Sequence, residues 1–309
     1  MNKAKTRICF AYFFISDDEI GKLVSRTVND AFRRGVNVKI YSNRGSLGYT
    51  NFRYLFDKGI KFSGNRGPVH MKIFAIDNYV ISTDRNISNH YYLSRGNRVP
   101  FDSSDLIFKS AVIADTVEKY IDNPRISLDV TDHKTGYRLV IGMIRKPMHA
   151  LLKNNTELRY VTCTFYPTST QDKLLMKGCH EVLSSCGDFP SNPDILEGYQ
   201  EIVAMQRGIP GITHFTKVPV HHKFILPRNY SFAWHGSYNI DVSSAVCCEE
   251  QMIYTTNKED IKSLVNIYTD LKSSSIPTKV LSISPCVFMV TELTEIFFNV
   301  YRSLVRFVR

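Results

Sequence analysis

Two segments of this 309-residue chain repeat one arrangement of chemical groups. The first runs His70-Met71-Lys72, then Asp77, then Asn86-Ile87-Ser88; the second runs His221-His222-Lys223, then Arg228, then Gly236-Ser237-Tyr238-Asn239-Ile240-Asp241. From His to Asn is 16 positions in the first and 18 in the second, a loop-sized difference. Both His-x-Lys units fall in strand-like stretches, residues 69–76 and 218–226. A strand unit repeated with its own downstream loop predicts two similar halves. Side chains at i and i+2 of a strand share a face, so His70 projects with Lys72 and His221 with Lys223.

The order of the rest predicts the layers. Residues 8–14 read as a strand, and 17–34 as a helix with Ile20, Leu23, Val24, Val28 and Phe32 on one side. Gly35 stops the helix and 36–41 read as a second strand, a βαβ unit with helices on the faces of a parallel or mixed sheet. Loops rich in Gly, Asn and Arg cover 43–49 and 63–68. Asp77-Asn78 reads as a hairpin turn between strands 69–76 and 79–82, and 115–121 as the start of a helix. Residues 122–136 read as a link between halves. The pattern then restarts: strands at 137–144 and 158–165, a helix over 171–184, a loop at 186–193, strands at 218–226 and 230–234, and a helix at 258–271. After a Ser/Pro-rich connector at 273–285, residues 291–309 carry Leu293, Ile296, Phe297, Val300, Tyr301, Leu304, Val305 and Val308 at helical spacing. Glu292 and Glu295 open that segment and Arg302, Arg306 and Arg309 close it, matching the helix dipole. Such a helix docks on the core or lies on an anionic membrane surface. The predicted organisation is 1–130, 131–285 and 286–309: two halves and a terminal helix.

Lys plus Arg exceed Asp plus Glu by 39 to 29, a formal charge of +10 that favours polyanionic partners, either nucleic acid or an anionic membrane surface. The 7 cysteines are irregularly spaced with no C-x-x-C pair, so neither a zinc site nor a disulfide framework is signalled. No apolar stretch has the roughly 20 residues of a spanning helix, and no secretory signal is visible. These features predict a cytoplasmic protein, peripheral at a membrane if the terminal helix binds one.

The repeated residues suit phosphoryl chemistry. If the halves pack about a two-fold axis, His70, Lys72, His221 and Lys223 converge on one pocket. Lys ammoniums, with Asn86, Asn239 and Ser237, can hold non-bridging phosphate oxygens. One imidazole can attack phosphorus and the other can protonate the leaving oxygen and then deprotonate the acceptor. Charge is offset by side chains, so the reading requires no metal and no cofactor. Each His needs a carboxylate on its other nitrogen. Besides Asp77 of the motif itself, the candidates are Asp105 for the first half and Glu250, or Glu249, for the second.

These residues resemble the phospholipase D superfamily, whose signature is H-x-K-x4-D followed by G-S-x-N. The match covers most of the chain, including Arg34-Gly35-Val36. In wording, residues 236–245 with Glu250, and Asn86-Ile87-Ser88-Asn89 with Tyr91, Tyr92, Phe101 and Asp105, look most like the cardiolipin synthase-like branch. The resemblance implies an α/β fold, a bilobal α-β-α sandwich of two pseudo-repeats with the active site between them. It also implies a metal-free phosphohistidine mechanism on phospholipid or nucleic-acid phosphodiesters. Three departures stand out: Arg228 where the second Asp is expected, Thr83-Asp84 in place of Gly-Ser in the first motif, and residues 137–155, which have no counterpart before Ile8. Three readings stay open: a phospholipid phosphodiesterase or phosphatidyltransferase, a metal-independent nuclease, and a non-catalytic binding module.

Overall fold

A computed structural model describes residues 1–43, 52–65, 68–94, 100–124, 126–178, 180–185, 212–216 and 220–277. The predicted terminal helix, the loops at 44–49 and 186–193, and most of the connector lie outside the described residues.

The first strands are β1 (Arg7–Tyr12), β2 (Asn37–Asn43), β3 (Lys61–Asn65), β4 (Lys72–Ile76), β5 (Tyr79–Thr83), β6 (Asp105–Lys109), β7 (Leu128–Thr131) and β8 (Arg138–Gly142). They are followed by β9 (Leu158–Thr162), β10 (Phe165–Tyr166), β11 (Glu181–Ser185), β12 (Thr213–Thr216) and β13 (Phe224–Pro227). The last are β14 (Ala233–Gly236), β15 (Ile240–Asp241), β16 (Glu250–Thr255) and β17 (Ile276–Pro277). Helices are α1 (Glu19–Arg33), α2 (Asn89–Tyr92), α3 (Ala111–Asp122), α4 (Arg145–Asn154) and α5 (Ser169–Lys177), with two later helices at Val242–Val246 and Lys258–Ser273.

The chain forms two compact units. One holds Met1–Met143 with His235–Ser237 and Cys248–Tyr254; the other holds Ile144–Trp234, Tyr238–Cys247 and Thr255–Arg309.

In the first unit, six strands run β3-β2-β1-β4-β5-β6, parallel from β3 to β1 and antiparallel beyond. The alternation within β1 builds both cores. Cys9 and Ala11 face α3 and its Ile113, Val117 and Tyr120, whereas Ile8, Phe10 and Tyr12 face Val28 and Ala31 of α1. Each large apolar side chain removed from water in this way contributes about 1.5–3 kcal/mol. Helices on both faces of a mixed sheet give the predicted α-β-α layering. Asp18 caps α1 by accepting from the Gly21 N–H, and Gly35 (φ 91°) turns the chain into β2. Burial pushes the Cys9 thiol up to about 12, as suits a core side chain. The same unit holds the antiparallel ladder β7-β8-β16.

The second unit repeats the topology. Strands β12, β11 and β9 are parallel neighbours and β13 is antiparallel to β9, as β3, β2, β1 and β4 are. Ile261, Leu264, Tyr268 and Leu271 of helix Lys258–Ser273 pack on Val161, Leu183, Phe224 and Leu226. The helix predicted over 171–184 is half correct. It ends at Lys177 with Gly178 as its cap, and Glu181–Ser185 is a strand. Val182 and Leu183 sit between two parallel neighbours, so sheet pairing overrides local helical spacing. The predicted link at 122–136 also contains a strand, β7.

Asp77 closes the β4–β5 turn with φ 50°. Its carboxylate accepts from the Thr6 hydroxyl (2.7 Å) and from the N–H groups of Lys5, Thr6 and Arg7, which ties the turn to the start of β1. Burial raises its pKa, but these donors outweigh burial and hold the carboxyl at about 2. A depressed carboxylate contributes stability above its ordinary range and loses it as pH falls through the folded value. Asp77→Asn is therefore expected to cost about 1 kcal/mol at neutral pH, discounted for solvent exposure. In urea titrations the gap should close between about pH 4 and pH 2; a gap independent of pH would refute the assignment.

Candidate active site

Each His-x-Lys unit enters the first antiparallel strand of its unit. His70 precedes β4 and Lys72 begins it; His221 and Lys223 lie in the extended segment leading into β13. Both lysines reach back two residues in the same way. Lys72 Nζ donates to the His70 carbonyl at 2.9 Å, and Lys223 Nζ to the His221 carbonyl at 2.7 Å. Both are fully buried ammonium-bearing side chains, a placement that a folded chain sustains only with such partners.

Around His70 the backbone sets the chemistry. The Glu249 N–H donates to the Pro68 carbonyl (2.9 Å) and the His70 N–H to the Glu249 carbonyl (2.8 Å), a short parallel bridge. This pairing brings the next carboxylate, Glu250, to His70 Nδ1 at 2.9 and 3.0 Å. Glu250 is fully buried, and the Ser237 hydroxyl donates to its Oε2. An ionised carboxylate only accepts, so Nδ1 donates to Glu250, and in the neutral imidazole the lone pair is on Nε2. Phe13 flanks the pair: its ring stands edge-on to His70 (centroids 5.0 Å, 71°), and Lys72 Nζ lies 5.3 Å from its centroid.

His221 is prepared differently. Lys223 Nζ is 3.1 Å from His221 Nδ1. An ammonium only donates, so this nitrogen accepts and the ring proton sits on Nε2. In their neutral forms these contacts favour opposite tautomers, with the His70 proton on Nδ1 and the His221 proton on Nε2.

The structure redistributes the predicted carboxylates. Glu250, expected to orient His221, holds His70 instead, because residues 248–254 belong to the first compact unit. Glu249 accepts from the buried Tyr41 hydroxyl at 2.6 Å. Asp105, expected behind His70, pairs with Arg85 at 3.4 Å at the start of β6. Asp77 is engaged at the far end of β4, as described above. Ser237, expected at phosphate, is fully buried and engaged with Glu250.

Asn86 is nearly buried and its Nδ2 donates to the Tyr91 hydroxyl at 2.9 Å. Asn239 Oδ1 accepts from the Thr162 hydroxyl at 3.3 Å. The unexpected Asp84 is fully buried and accepts from the Ser104 N–H (3.1 Å) and hydroxyl (3.0 Å), which offset its charge internally. Ser104 Oγ in turn lies 3.0 Å from His235 Nε2. Arg228, in place of the second motif's acid, pairs with Glu157 at 2.5 Å on the surface. An exposed pair is worth under about 1 kcal/mol. Arg228→Ala is therefore expected to leave turnover within about two-fold and thermal stability nearly unchanged; a large loss of either would assign Arg228 to the site.

A solved structure described as phosphatidylserine synthase from Haemophilus influenzae Rd KW20 aligns with 98% of this chain and 90% of its own, with a TM-score of 0.68 and 15% identity. The chain shares the α/β fold of that structure over nearly its whole length. A polyphosphate kinase from Porphyromonas gingivalis aligns over 95% of this chain and 49% of its own (TM-score 0.58, 10% identity). Nuc from Salmonella typhimurium, described as a phospholipase D family member, aligns with 46% of this chain (97% of its own) at a TM-score of 0.34 and 14% identity. No protein-family model and no curated protein matches the sequence. Phe13, Tyr41 and Gln251 are site neighbours that the motif spacing does not mark. Phe13 directly follows Tyr12, the register partner of Lys72, a pairing that exists only in the folded sheet.

Proposed function

We propose that this chain is a phosphodiesterase or phosphatidyltransferase that works through a phosphohistidine on His70. The observation that carries the reading is the Glu250–Ser237 hold on His70 Nδ1, which leaves Nε2 as the nucleophile. In the first step Nε2 bonds to phosphorus and the phosphorus–oxygen bond to the leaving group breaks. The leaving oxygen takes the Nε2 proton of His221, and the Lys223 ammonium at Nδ1 replaces that proton, so no imidazolate forms. In the second step an alcohol or water attacks phosphorus as the phosphorus–nitrogen bond to His70 breaks, and gives its proton to His221 Nε2, whose Nδ1 proton returns to Lys223. Lys72 offsets charge on the phosphoryl oxygens.

The substrate reading is a phospholipid phosphodiester. It is supported by the cardiolipin synthase-like wording of both motifs and by the predicted amphipathic terminal segment, which makes peripheral membrane binding part of the proposal. Among the described residues no helix is long and apolar enough to cross a membrane. A nuclease is the second reading, favoured by the formal charge of +10. Incubation with labelled phosphatidylglycerol vesicles, and separately with single-stranded DNA in the presence of chelator, tests both. New lipid product with intact DNA supports the first reading. Cut DNA with unchanged lipid supports the second, and no product from either contradicts both.

A further inference from the structure

Gln251 follows Glu250 in β16 and is fully buried. Its side-chain amide pairs with both backbone polar groups of Lys72: the Lys72 N–H donates to Oε1 (2.9 Å), and Nε2 donates to the Lys72 carbonyl (3.2 Å). Nε2 also reaches the Thr83 carbonyl at 3.4 Å. The main chain of the same residue holds Ser237. The Gln251 N–H donates to Ser237 Oγ (3.0 Å), and the Ser237 N–H donates to the Gln251 carbonyl (2.9 Å). The approach is close enough to require glycine at 236, where an added Cβ would sit 2.1 Å from the Gln251 oxygen.

The reason lies in the sheet. Lys72 is paired with Tyr12 of β1 on one side. On the other, the β4–β5 register ends at Ile73 opposite Ser82. The Gln251 amide stands where the next β5 peptide would continue the ladder. A primary amide offers both an acceptor and donors, as a peptide does, so it substitutes for one without adding charge beside the buried ammonium. Leu or Met fills the volume and leaves buried donors and acceptors unpaired.

We propose that Gln251 is a positioning residue that fixes Lys72 directly and, through Ser237, the Glu250–His70 pair. This inference rests on the reading of Lys72 and His70 as the groups that meet phosphate. Gln251→Glu is the discriminating change, because it keeps the shape and replaces the donor with oxygen facing the carbonyls of Lys72 and Thr83. When that carboxyl is protonated it regains one donor. The titratable groups on the segments around it are His70, Lys72, Asp84, His235, Glu249 and Glu250. Gln251→Met carries the same neighbours, so a rise confined to Gln251→Glu reports the new carboxyl together with the groups coupled to it.

The experiment compares the full-length wild type, Gln251→Glu and Gln251→Met, with circular dichroism to monitor folding. Hydrolysis of a soluble phosphodiester and binding of inorganic phosphate are measured from pH 8 to pH 5. Gln251→Glu is expected to lower kcat about 100-fold at pH 8, the scale of a misplaced catalytic group, and to change KM little. Its ratio to wild type should rise as pH falls, whereas Gln251→Met stays low at every pH. Phosphate affinity should follow the same order. If the wild type turns over no phosphodiester, the functional reading fails, and phosphate binding still tests Gln251 separately. Wild-type kcat and phosphate affinity in Gln251→Glu would overturn the inference. So would parallel losses in both variants at all pH values, or unfolding of both, since each assigns Gln251 to stability alone.

Discussion

His70→Ala is expected to lower phosphodiester turnover by about 10⁴-fold or more while leaving the fold intact. The magnitude follows from removing the atom proposed to bond to phosphorus, so that water would have to attack without a covalent intermediate. The fold should survive because the His70 backbone, not its ring, makes the bridge to Glu249. The ring is enclosed by Glu250 and Phe13 and keeps 15% of its side-chain surface exposed, consistent with a group that must meet substrate. Steady-state kinetics with matched circular dichroism check this. Turnover within ten-fold of wild type would remove His70 from the chemistry.

The second large effect belongs to Glu250. Glu250→Gln is expected to lower kcat roughly 10³- to 10⁴-fold with a much smaller change in KM, the pattern of a lost tautomer and orientation. The carboxylate accepts from both the His70 ring and the Ser237 hydroxyl. An amide offers one acceptor oxygen and turns its NH2 toward a donor, so one of the two partners is dislodged. Because Ser237 acts on the same carboxylate, Ser237→Ala should add little once Glu250 is gone. A double-mutant cycle in which the two losses multiply independently would contradict the shared network.

The repeat was legible because it is local. Two His-x-Lys units on strand-like stretches predicted two similar units, and the order β3-β2-β1-β4 recurs as β12-β11-β9-β13. The βαβ start was legible for the same reason: residues 8–41 carry helical spacing, a cap at Asp18 and a stop at Gly35 within one short window. The carboxylates were not legible. Glu250 meets His70 across 180 positions through backbone pairing of residues 249 and 69, and no periodicity encodes that register. Asp77 looked like a site acid, and Asp84 like a departure within the phosphate loop, because their neighbours in sequence are site residues. Their donors, at residues 5–7 and at Ser104, are brought to them by tertiary packing. The strand at Glu181–Ser185 was read as helix because its two parallel neighbours lie outside its own window.

Trapping the covalent intermediate tests the central claim most directly. Wild type and His221→Ala are quenched during turnover of labelled phosphodiester, and the modified peptide is located by mass spectrometry. The label is expected on His70 in both, accumulating in His221→Ala if that ring serves the second step. Label on His221, or turnover with no phosphohistidine on His70, would contradict the account.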